Sequence, residues 1–427
     1  MANVELTNRR FTPRFILAAL FVPLLCQSIL NAQVPGRAEL LAAEREAKIE
    51  EVRQPERTTI ERGMRAIEKV ASTYENIKGR DPGLHYTTGN LPTGSGLGFG
   101  LGYTYRPMTK GGYSDPTLPN LFEFKIDAAY STRKYYEGKA EIRLSNIAGS
   151  IFNIAGLAKY HEDPQEEFFG VGSQTDERDR TDYLLRAFEG TTEAWLSPIK
   201  GFRAGGGATY LTPSVGTGRD SRFASVDKVF DPTTIAGFEG GKRNFLRADA
   251  FIEYDRRDNP SYPRAGTYVR TKFSHYSDRD VDRFNFRRYE FDAQQYVPFH
   301  DGYKVLAIAS NVVLTDTNGN NTVPFYFMPD LGGRQRLRGF RERRFRDRNS
   351  IVATAEYRWE AWWALDVALF GEAGKVAARR SDINLKDLEG TYGIGFRFHS
   401  KKAFTFRLDI ARSREGFLPI FSAQHVF

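Results

Sequence analysis

The stretch Leu331-Gly-Gly-Arg-Gln-Arg-Leu-Arg-Gly-Phe340 concentrates the residue types best able to do chemistry, and its basic continuation runs to Arg348. It lies between two alternating apolar segments, which predicts a long loop, and loops of this length are commonly functional or disordered. Arg338-Gly339-Phe340 has the make-up of a grip. The guanidinium offers a planar fork of donors suited to a carboxylate. A glycine, lacking Cβ, lets the backbone approach another surface. The phenylalanine supplies an apolar anchor. The alternative is a basic surface loop in water.

Other chemistry is sparse. The glycines from Gly94 to Gly102 suggest a nucleotide loop only superficially, because their strict alternation makes them one face of a strand. Gly172-Ser173 lacks the flanks of a hydrolase elbow. Six scattered His and a single cysteine, Cys26, form no metal-ligand constellation. The sequence therefore points to no catalytic residue, no metal and no cofactor. A formal charge of +8 invites a nucleic-acid partner. Acidic residues are interspersed throughout, however, and no recognition motif is present, so nucleic acid is excluded.

The elements that must position the loop have a period of two. Leu97, Phe99, Leu101, Tyr103 and Tyr105 alternate with Gly96, Gly98, Gly100, Gly102 and Thr104. The same pattern returns at 122–131, 246–254, 356–359 and 404–410. Successive side chains of a strand point to opposite faces, so one face is aromatic and aliphatic while the other is charged. A soluble sandwich would also alternate. Strand lengths of about ten residues instead match a tilted membrane crossing, and the apolar faces end in Tyr, Trp or Phe as an interfacial girdle would. The expected fold is all-β, a 16-stranded antiparallel transmembrane β-barrel over residues 91–427. Stretches 107–120, 212–244, 315–349 and 375–390 predict outer loops, whereas 298–302 and 399–402 predict short turns on the opposite side.

Residues 1–32 predict a secretory signal peptide: Arg9, Arg10 and Arg14 precede the apolar run Phe15 to Cys26. Residues 33–90 predict a short helical periplasmic or plug segment. Ala38 to Val52 is rich in helix formers, and after Pro55 the residues Ile60, Met64, Ile67, Ala71 and Tyr74 share one helical face.

Several motifs in order resemble the β-barrel of the BamA/TamA outer-membrane assembly superfamily, also called the bacterial surface antigen family. Asp255-Arg-Arg-Asp-Asn-Pro-Ser-Tyr-Pro-Arg-Ala-Gly266 is similar to its periplasmic turn, with Asp255, Arg257, Asp258, Asn259, Pro260, Pro263 and Gly266 as the matching positions. Leu337-Arg-Gly-Phe340 resembles its signature loop tip. Phe370-Gly-Glu-Ala-Gly374, Gly393-Ile-Gly-Phe-Arg397 and Arg407-Leu-Asp-Ile-Ala411 are similar to its later strand motifs, and the terminal Phe427 to its delivery signal.

The resemblance implies residence in the outer membrane of a Gram-negative-type bacterium, in contact with its lipid. It also implies insertion by the outer-membrane assembly machinery and unfolded outer-membrane proteins as clients. It implies further that the loop folds into the lumen and that its arginine meets charges on the inner wall. Parity agrees: Glu372 shares a face with Asp366, opposite Leu365, Val367 and Leu369. An Arg338–Glu372 pair is therefore expected, with Arg397 and Asp409 as further wall partners, Gly339 close to the wall and Phe340 packed on it. The segment 33–90 is too short for a periplasmic domain of the family plus a linker. The implied role is membrane-protein insertion or substrate translocation with the loop as a latch; the alternative is a passive pore or structural barrel.

Overall fold

The structure is a computed structural model that describes residues 82–427 except 88–90, 93, 108–121, 148–150, 232–233, 240, 301, 363–364, 400–403 and 423–427. The signal peptide, the helices expected at 38–79 and Phe427 lie outside the described residues.

Among the described residues sixteen strands follow one another in a single antiparallel sheet. They are β1 (Gly83–Thr87), β2 (Gly98–Tyr105), β3 (Phe122–Ser131), β4 (Tyr136–Asn146), β5 (Phe152–Phe168), β6 (Thr181–Leu196), β7 (Phe202–Leu211) and β8 (Phe245–Asp255). The second half comprises β9 (Gly266–Asp278), β10 (Phe286–Phe299), β11 (Lys304–Asp316), β12 (Asn349–Trp362), β13 (Leu365–Ala377), β14 (Glu389–His399), β15 (Phe404–Ser413) and β16 (Gly416–Ser422). Each pairs with the next, from β1 with β2 to β15 with β16. Among the described residues no ladder joins β1 to β16.

The alternation in sequence becomes an inside-out distribution. Leu101, Ile126, Ile252, Leu369, Phe417 and Phe421 are exposed, whereas Asp127, Glu253, Glu356, Asp366, Arg397 and Asp409 are buried on the other face. An exposed apolar surface of this extent is stable only against hydrocarbon or another apolar surface. The sheet also wraps around the 317–348 loop. Arg346 of that loop reaches the Tyr183 hydroxyl on β6, while Arg338 reaches Glu372 on β13. Strands so far apart in the sheet can meet one loop only if the sheet curls about it.

One expectation needs correction. The sheet begins earlier than residue 91: Gly83–Thr87, assigned from sequence to the helical segment, pairs as a strand with β2. Its alternation, with Leu84 exposed and His85 buried, spans only five residues and is too short to register as a period. The strands β5 and β6 are the two longest of the sheet. Pro164 hides β5, because it sits where the register shifts between Asp163 and Glu166, and proline in a sheet belongs at such bulges. The upper half of β6 carries a short extension, Ser214–Thr217, which in turn pairs with Gly241–Lys242.

At the same end the connections 212–244 and 317–329 bring Phe168, Tyr183, Val226, Phe238 and Phe325 into one buried cluster. A second joins Phe245, Tyr276, Phe284, Phe286 and Val323. Residues of both connections thus pack with strand residues into apolar clusters.

Candidate functional site

The loop after β11 is tied at its root, where Asp330–Leu331 pairs with Phe345–Arg346. Between these pieces the chain winds tightly. Gly332 N–H donates to the Arg336 carbonyl (3.1 Å), Gly333 N–H to that of Phe340 (3.0 Å) and Phe340 N–H to that of Leu337 (3.0 Å). Leu331, Leu337, Phe340 and Phe345 then pack on Val352 of β12 and Val376 of β13. Phe340 meets Phe345 edge to face at 4.9 Å, a preferred arrangement for aromatic pairs.

This knot delivers Arg338, fully buried, to the inner wall. Its backbone N–H and its Nε donate to Glu372 at 2.6 and 2.9 Å. One terminal nitrogen donates to Glu356 (3.0 Å) and Asp409 (3.3 Å). The guanidinium carbon lies 3.5 Å from the centre of the Phe370 ring, a favourable cation–π geometry. The fork is thus shared among three carboxylates instead of closing bidentately on Glu372. Glu372 has further donors in Thr391 (3.1 Å) and Thr354 (3.4 Å).

Arg397 does not hold Arg338. It bridges two of the acceptors, donating to Glu356 (2.8 Å) and Asp409, and so braces them. Arg358 donates to Glu356 (2.7 Å) and Arg407 to Asp409 (3.0 Å). Four guanidinium groups and three carboxylates therefore form one dry network on β12–β15 and the loop. Gly339 lies against β15: a Cβ there would come within 2.9 Å of the Arg412 carbonyl carbon. Its own carbonyl accepts from Ser413 Oγ at 2.7 Å.

Beyond the tip, Arg344 donates to Thr175 Oγ1 (2.7 Å) and to Glu415 in the β15–β16 turn (2.8 Å). Burial pushes the Glu415 carboxyl above its ordinary range, against the pull of Arg344. Gly172 N–H donates to the Arg346 carbonyl at 2.7 Å.

The turn motif lies between β8 and β9 and is wound by its own side chains. Asp255 accepts from Arg257 (2.7 and 2.9 Å), and Asp258 accepts from the backbone of Arg264 (3.0 Å) and Ala265 (3.2 Å). Asn259 accepts from Ser261 N–H at 2.9 Å. Gly266 has φ +105, and a Cβ there would collide with the Arg256 carbonyl at 2.1 Å. Pro260 and Pro263 restrict the backbone between these ties.

Sequence reasoning missed Glu356 and Phe370 as partners of Arg338, Tyr262 and Arg358 as buried polar groups, and Arg264 as a half-buried one. Parity does place Glu356 and Arg358 opposite Tyr357 and Trp359, so their face was available; their convergence with the loop was not.

Residues 188–415 match the Omp85 superfamily domain. Among solved structures the chain is similar to BamA from Haemophilus ducreyi lacking POTRA domains 1-3, with a TM-score of 0.57 and 12% identity, over 84% of this chain and 78% of that one. It also matches CdiB from Acinetobacter baumannii (TM-score 0.44, 11% identity, 76% of this chain and 55% of that one). CdiB from Escherichia coli gives a TM-score of 0.46 and 10% identity, over 85% of this chain and 69% of that one. No curated protein matches the chain.

Proposed function

Because the chain belongs to the Omp85 superfamily, and so is an outer-membrane β-barrel and no enzyme, we propose that it inserts outer-membrane proteins or passes a substrate across that membrane, with loop 331–348 as its latch. The observation that supports this reading is the burial of Arg338 among Glu372, Glu356 and Asp409. A loop needed only as a surface connection gains nothing from sinking a guanidinium into the wall. Desolvation makes such a placement costly unless every carboxylate is well matched. The arrangement suits an element with one well-defined seated position, from which a client or substrate could displace it. Unfolded outer-membrane proteins are the partners this role calls for.

The test is conductance of the purified chain in planar bilayers, joined to depletion in the cell. A barrel closed at rest, opened by Arg338→Lys, together with loss of other outer-membrane proteins on depletion, supports the proposal. A steady open channel, with those proteins unchanged on depletion, supports a passive pore instead.

A further inference from the structure

The turn motif at 255–266 is not used by the latch, yet two of its side chains are aimed into the wall. Connections in an antiparallel sheet alternate between its two ends, so this turn enters from the mouth opposite to loop 331–348. Tyr262 is buried and its hydroxyl donates to Asp366 on β13. Arg264 donates to the same carboxylate at 2.8 Å and to the Gly302 carbonyl at 2.8 Å. His399 of β14 lies 3.3 Å from Asp366 and packs on the Tyr262 ring. Asp366 is fully buried.

The two structures share a residue pair. Arg358 on β12 donates through one terminal nitrogen to the Pro263 carbonyl of the turn (3.1 Å) and through Nε to Glu356 (2.7 Å). The other oxygen of Glu356 accepts from Arg338 (3.0 Å). An unbroken chain therefore runs from the loop tip to the turn: Arg338, Glu356, Arg358, Pro263. All three side chains in it are buried. In such surroundings a hydrogen-bonding group that loses an acceptor must find another, and its neighbours shift with it.

We propose that the turn is a second clasp on this wall, set from the opposite mouth, and that clasp and latch hold one another closed through Glu356 and Arg358. The proposal rests on reading the loop as a releasable latch. A client or partner that pulls the turn aside at one mouth would thereby loosen Arg338 at the other. By reciprocity, releasing the loop would loosen the turn by the same factor.

The test uses the full chain with Cys26 replaced by serine and a single reporter, Val376→Cys. Val376 lies on the wall beneath Leu337 and Phe340 and is buried, so its maleimide labelling rate reads release of the loop. Variants are compared only where they keep the heat-modifiable mobility of the folded barrel. Arg338→Lys tests the latch itself and is expected to raise the rate about tenfold or more. Tyr262→Phe and Arg264→Gln, at the far mouth, are each expected to raise it about threefold or more. Combined with Arg338→Lys, their effects should fall short of the product of the single changes. If Arg338→Lys leaves labelling unchanged, the latch reading fails. If Arg338→Lys accelerates labelling while both turn variants leave it at the parent rate, the clasp is independent and the proposed coupling is wrong. Arg264→Gln serves where Tyr262→Phe does not fold.

Discussion

The inner wall has two regions built from the same alternating pattern, and they differ in what covers them. On β12–β15 the charges lie beneath loop 331–348, and Arg338, Glu356, Glu372, Arg397 and Asp409 have no exposed side-chain surface. On β4, Lys139 and Glu141 form an uncovered pair, with side chains 28% and 33% exposed. Arg106 and Glu123, near β2 and β3, are 27% and 23% exposed. The difference teaches that a charged face is only a wall until something excludes water from it. Under the loop each ion must be matched, because leaving one alone is expensive. On β4, water and salt supply what a missing partner would have given.

The largest effect expected from this contrast is at Arg338. Arg338→Ala strands Glu372 and disturbs Glu356 and Asp409, which should cost about 3–5 kcal/mol. Arg338→Lys retains the charge but loses the fork and the planar contact with Phe370, so it should cost less than Arg338→Ala and more than nothing. Urea unfolding of the barrel in lipid bilayers gives both values. A loss below that of an exposed pair would mean that the covered wall is no drier than the other.

Phe340→Ala should come next. It removes a buried ring from the cluster with Leu331, Leu337 and Phe345, at a cost of about 3–4 kcal/mol. The same unfolding experiment checks it, and the loss should be the same at low and high salt, since no charge is involved. If the loss instead changes with salt, the apolar cluster and the ion network are not separate supports of the loop.

How much of this was legible from the chain follows from the same physics. Period two gives the face of every strand residue, so Glu372, Arg397 and Asp409 could be assigned to the inner wall. It does not give height. Strands in a barrel are staggered, and Glu356 and Asp409, which lie 53 positions apart (409 − 356), come level with the loop tip only through that stagger. Tyr262 and Asp366 meet across 104 positions for the same reason. The motif at 255–266 could be read as a turn from its Asp, Asn, Pro and Gly, each of which ties or bends the backbone locally. Where Tyr262 and Arg264 would point depends on distant strands, and nothing local encodes it.

A smaller effect is expected at the margin of the covered region. Glu415 accepts from Arg344, but burial raises its carboxyl above the ordinary value of 4.5. The folded chain therefore holds this proton more tightly than the unfolded one. Stability from Glu415 is present in acid and declines as pH rises from 4.5 through the raised value. Glu415→Gln removes that decline. The stability difference between parent and variant should thus shift in favour of the variant as pH rises across this window, and a flat difference would place Glu415 in water.

The smallest effect belongs to the uncovered wall and is the control for all the others. Lys139→Met breaks the pair with Glu141 on β4, where both side chains keep contact with solvent. The cost should lie within about 0–1 kcal/mol. It should also shrink as salt is raised, because exposed charges are screened over a Debye length of about 8 Å at physiological ionic strength. The Arg338 variants should show no such dependence. Losses of equal size at residues 139 and 338, or equal sensitivity to salt, would mean that the loop does not exclude water from β12–β15, and the contrast between the two regions would be gone.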